Sequence, residues 1–178
     1  MRSSILGVVA LAAGSLGLLA PQVQGDEWDQ KTILTFSAPV EVPGRVLPAG
    51  TYVFKLLDSP SDRHIVQIYD KDEKQLIGTV LAVPDERLEP RGKTVITFEE
   101  RASGSPEALR AWFYPGNTIG QEFVYPHSRA KDIAKRSGQH VLSMRGEDVS
   151  ADAVKKGDYG AVQPTGEDVD VEQVHKHK

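Results

Sequence analysis

The stretch Leu109–Pro126, LRAWFYPGNTIGQEFVYP, sets the tightest limit on what this chain can become. It carries Trp112, Phe113, Tyr114, Phe123 and Tyr125 on two short runs separated by Pro115-Gly116-Asn117. Proline at the second turn position fixes φ, and glycine at the third accepts the positive φ that follows, which is the type II pattern. Two aromatic runs joined this way form a hairpin. A lone hairpin is marginal in water, so one this apolar implies further strands packed around it.

Those strands are legible upstream. Lys31–Phe36 (KTILTF) is rich in β-branched and aromatic residues and reads as a strand, and Val40–Val42 resumes pairing after Ser37-Ala38-Pro39. Val42-Pro43-Gly44-Arg45 is again type II, and Leu47-Pro48-Ala49-Gly50, with glycine fourth, suits type I. Thr51–Leu57 places Tyr52, Phe54 and Leu56 on one face, and His64–Tyr69 follows a polar turn. Gln75–Val83 is apolar on both faces, with Gly78 hinting at a bulge and Pro84 marking its end. Thr94–Arg101 puts Thr94, Ile96 and Phe98 on one face. Short strands divided by Pro, Gly and Asp turns predict an all-β fold, an antiparallel β-sandwich or small barrel of about seven to nine short strands. After it, Ser128 caps one short C-terminal helix, Arg129–Arg136, stopped by Ser137-Gly138.

The ends of the chain read differently. Arg2, the apolar run Ile5–Ala20 and the modest residues Val23 and Gly25 predict that residues 1–25 are an export leader cleaved before Asp26, with an uncleaved anchor as the alternative. The run is short of the roughly 20 apolar residues of a membrane helix, so no integral span is expected after cleavage. Residues 26–145 form the β-domain. Residues 146–178 hold a single aromatic, Tyr159, among scattered Val and Ala, and predict a polar, disordered tail.

Composition narrows the function classes. The chain carries −4 overall, and losing Arg2 with the leader makes it −5, so nothing offers the basic surface on which nucleic-acid binding depends. Cysteine is absent, which removes disulfides, thiol chemistry and an N-terminal lipid anchor. No Gly-x-Ser-x-Gly elbow, phosphate loop or His-Glu-x-x-His appears, and no cofactor is expected.

The phrases TFSAPVEVPGRVLPAGTYVFKL, SDRHIVQIY, RLEPRGKTVITF, RAWFYPG and GQEFVYP resemble a family of exported bacterial proteins seen mostly in acidobacteria, with the likeness running from Trp28 to Ala134. That family has no established activity, so the resemblance implies a secreted or periplasmic all-β domain and no site residues. LPAGTYVF is also similar to the turn and strand of transthyretin-like sandwich modules, a likeness of fold alone.

Strict alternation along the first aromatic run puts Leu109, Ala111 and Phe113 toward the core and Arg110, Trp112 and Tyr114 outward, with Glu122 as a cross-strand neighbour. A guanidinium between two aromatic rings suits sugar rings, peptide chains or planar anions. The alternative is a hairpin buried on both faces, where Arg110 and Glu122 satisfy one another. His64, His127 and His140 stand at element starts with Glu99, Glu100 and Glu122 as available neighbours, but no spacing forces them onto a metal. His175 and His177, two apart near the C-terminus, make at most a weak site. These features predict an exported, non-enzymatic β-domain binding an unknown ligand or envelope protein. The alternatives are self-assembly through strand edges and a hydrolase of extracellular polymer using Glu99 or Glu100 with Glu122 as a carboxylate pair.

Overall fold

The computed structural model describes residues 30–57, 64–99, 105–149 and 156–175; the expected leader, Glu100 and His177 lie outside them. Nine strands form one mixed sheet: β1 (Thr32–Phe36), β2 (Val40–Val42), β3 (Arg45–Leu47), β4 (Gly50–Leu56), β5 (Ile65–Asp70), β6 (Leu76–Glu86), β7 (Val95–Glu99), β8 (Glu107–Phe113) and β9 (Ile119–Phe123). Helix α1 (His127–Ser137) follows, then a small sheet of β10 (Val141–Met144), β11 (Tyr159–Val162) and β12 (Asp168–Val169), and a short helix α2 (Val171–His175). The chain is all-β in class, as its turns and alternation predict.

Antiparallel pairs carry the large sheet in the order β1-β4-β5-β6-β9-β8-β7. Strand β6 belongs to both halves: Leu76–Leu81 pairs with β5 and Ala82–Glu86 with β9. Pro84 therefore does not end the strand. Beyond Ala82, whose N–H still donates to His64 O at 2.9 Å, only the β9 edge of β6 is paired among the described residues, so a residue without an N–H is tolerated at Pro84. The sheet folds over at β6, bringing its two halves face to face. Phe54 of β4 meets Trp112 of β8 edge-on at 6.2 Å, and Phe36 at the end of β1 meets Phe98 of β7 at 6.4 Å. These rings, with Val66, Ile68, Val80 and Phe123, fill the core.

One pair departs from the antiparallel pattern. Strand β2 lies parallel to the start of β8, on the edge that β9 occupies further along. Tyr125 marks this change of partner: it is buried, and its hydroxyl hydrogen faces the carbonyls of Leu109 at 2.9 Å and Glu41 at 3.1 Å. The turn glycines behave as read, with φ of 83° at Gly44 and 82° at Gly116. An extra residue, Ile77, interrupts the β5–β6 register beside Gly78.

The second layer corrects the expectation of a disordered tail. Residues 156–175 supply β11, β12 and α2, and Ala161 and Val174 are buried against Val83, Val124, Leu142 and Met144. Their apolar residues are few, but Val83 and Val124 on the outer wall of the large sheet supply the complementary area. Helix α1 packs in this layer through Ala130, Ile133 and Ala134. It begins one residue before Ser128, and Ser128 does not act as its cap. The Glu147 carboxylate instead accepts from Ser128 N at 2.8 Å and Ser128 Oγ at 2.9 Å. Gly138 closes the helix in the left-handed conformation at φ 71°, donating to Ala134 O.

Candidate functional site

The aromatic hairpin does not present the outward face that alternation predicts. Along β7 and β8, Phe98 opposes Leu109 and Thr97 opposes Ala111, so Arg110 is the extra residue of a β-bulge. A bulge advances the side-chain period by one, and every position after it changes face. Trp112 consequently points inward beside Ile96 and is only 1% exposed. Tyr114 is half-buried against the same core. Phe113 lies on the opposite face, beneath the Arg87 guanidinium at 4.7 Å. The proposed platform of Arg110 between Trp112 and Tyr114 does not form.

Arg110 and Glu122 do meet, on the outer wall beneath the second layer. Arg110 Nε donates to Glu122 Oε1 at 3.1 Å, lies 3.6 Å from Glu99 Oε1, and its Nη2 is 3.3 Å from His140 Nε2. Both carboxylates are 1% exposed. Sequence patterning pairs Arg110 with Glu122 in one candidate set and offers Glu99 and Glu122 as neighbours of His140 in another; the bulge and the turn before β10 make the two sets one. A cation placed between two buried carboxylates offsets their repulsion and part of their desolvation cost. A second tie joins β2 to α1: Arg129 Nη2 donates to Glu41 Oε2 at 2.6 Å, and this carboxylate raises the Arg129 pKa above its ordinary value against the opposing effect of burial.

A third constellation resembles hydrolytic machinery in composition. His127 Nδ1 lies 3.2 Å from Ser143 Oγ, and its Nε2 lies 3.6 Å from Asp168 Oδ1. Ser143 Oγ also donates to Met144 O at 2.7 Å, a carbonyl that competes with the imidazole for its hydrogen. Ser143 is also buried within β10, and the adjoining cavity is only about 10 Å³. The cluster ties α1, β10 and β12 together. Among the described residues no group of three or more His, Asp or Glu side chains converges on a metal position, and no helix is long and apolar enough to cross a membrane.

A concave surface lies elsewhere, at the seam where the folded sheet fails to close. Among the described strands, β1 pairs only with β4, and β7 only with β8. Between them runs a groove of about 760 Å³ lined by Leu34, Phe36, Ile96 and Phe98, with Ser105 and Glu107 toward one end. All four apolar side chains are half-buried. Its lining contains none of Arg110, Trp112, Tyr114 or Glu122. Alternation showed that Ile96 and Phe98 share a face, but only the strand order reveals that this face borders an open seam.

Comparison with family models, curated proteins and solved structures returns no match.

Proposed function

We propose that this chain is an exported, non-enzymatic binding domain whose ligand seat is the groove between β1 and β7. The observation that carries the reading is the groove itself. Its volume lies in the range of about 300–1,000 Å³ common for ligand sites, and its aliphatic and aromatic walls are broken by a few polar groups. Export, and a ligand or protein of the bacterial envelope as partner, rest on the leader and on the family likeness over Trp28–Ala134. The hydrolase alternative is the weaker reading. Glu99 and Glu122 are buried against Arg110, and among the described residues Glu107 is the one carboxylate lining the groove.

Titration with an apolar fluorescent dye, anilinonaphthalene sulfonate, tests the seat. The expected result is saturable one-site enhancement, lost in Leu34→Glu and retained in Ile33→Glu, which alters the exposed opposite face of β1. Equal dye binding by both variants, with melting profiles unchanged, would refute the groove as the seat.

A further inference from the structure

Strand direction says what the groove is shaped to take, granted that it is the binding seat. The six pairings in the order β1-β4-β5-β6-β9-β8-β7 are all antiparallel. Six reversals leave β1 and β7 pointing the same way, each with one edge unpaired by any described strand. A single strand laid between them would run antiparallel to both. It would complete an alternating barrel of eight strands, and closure is the arrangement that removes exposed edges altogether. We infer that the groove's ligand is an extended segment of another polypeptide, inserted as a β-strand between β1 and β7 and antiparallel to each.

The walls fit such an occupant. Backbone N–H and C=O groups along two open edges template a main chain, whereas an apolar small molecule would leave them without partners. Leu34 and Phe36 face Ile96 and Phe98, so alternate residues of the inserted strand should be apolar. Charge sets the polarity of the fit. Glu107, exposed, is the single charged residue among the described residues that line the groove, and it starts β8 beside the Glu99 end of β7. A strand antiparallel to β7 begins at that end, so its N-terminal amine or a basic residue there falls near Glu107. The partner is therefore a short segment, of about five residues or ~16 Å, basic at its start and apolar at every second position. All described strands of this chain are already paired, and none projects to fill a second copy's groove.

The test uses the full chain and the free-amine hexapeptide Lys-Val-Thr-Val-Thr-Val, followed by calorimetry. Saturable binding is expected. Backbone N-methylation at positions 2 and 4, or at positions 3 and 5, should each weaken it by about tenfold or more, because alternate N–H groups serve opposite edges. Glu107→Gln should weaken the parent peptide by about two- to fivefold, as a rim charge does. Loss in only one methylated register would mean addition to a single edge and overturn closure. Equal binding of all three peptides would overturn strand pairing. Dye binding without any peptide binding would leave the seat standing and remove this occupant; absence of both would remove the two proposals together. A dimer that the peptide dissociates would assign the groove to a second copy and overturn the inference as stated.

Discussion

Replacing Arg110 with methionine probes the most consequential feature that folding assembles from separate strands. The substitution keeps an unbranched apolar stem but removes the guanidinium that stands 3.1 Å from Glu122 and 3.6 Å from Glu99. Both carboxylates stay in place, each 1% exposed, now facing one another without the cation. Removing one partner of a buried ion pair costs about 3–5 kcal/mol, because the remaining charge keeps its desolvation cost and loses its compensation. Arg110 keeps some access to solvent, with 15% of its side chain exposed, so the lower end, ~3 kcal/mol, is the appropriate figure. For a chain of this length that corresponds to a melting midpoint lowered by roughly 6–12 °C. Urea unfolding gives the free energy, and the double variant R110M/E122Q gives the coupling. Removing one of the two carboxylates should recover more than 1 kcal/mol of the roughly 3 lost, since contacting groups are strongly non-additive. A loss below about 1 kcal/mol in R110M, or strictly additive effects, would refute the view that Arg110 holds this pair together.

Three other substitutions test the packing around the site. A Cβ at Gly120 would lie 2.5 Å from the Phe113 ring, so Gly120→Ala should cost about 1–3 kcal/mol by urea unfolding, with the loss reduced in a Phe113→Leu background. Tyr125→Phe deletes the hydroxyl shared between the Leu109 and Glu41 carbonyls; a loss of about 1–3 kcal/mol is expected, and no measurable change would mean that the junction of β2, β8 and β9 does not depend on it. Glu147 receives hydrogen bonds from the backbone and side chain of Ser128, with His127 adding a smaller attraction, and these hold its pKa below the ordinary value against a small opposing desolvation. A depressed carboxylate pKa contributes stability above its unfolded value and loses it as pH falls through the folded value. Glu147→Gln should therefore be less stable near neutrality and show a shallower loss on acidification below about pH 4.5, read from midpoints across a pH series.

Local chemistry carried much of the architecture. The Pro-Gly turns at Pro43-Gly44 and Pro115-Gly116 can be read without any partner, because their backbone angles depend only on the residues in the turn. The strands and the helix stop at Gly138 follow for the same reason. The face of Trp112 was different. It depended on whether β8 pairs with β7 in simple register, and one bulge residue, Arg110, reversed the prediction for everything after it. The tail failed similarly: its apolar content was judged alone, while the surface that Ala161 and Val174 help cover includes Val83 and Val124, far away in the chain.

By itself, the sequence determined the all-β class, most strand positions, the turns and the absence of thiol chemistry, all properties of neighbouring residues or of composition. Only the tertiary structure decided that Glu99, Arg110, Glu122 and His140 form one cluster, that Ser143 and His127 meet beside Met144 O, and that β1 and β7 leave a groove. Each of these depends on pairings between distant strands or elements. Such pairings are selected by the free energy of the whole core, and no short stretch of chain contains that information.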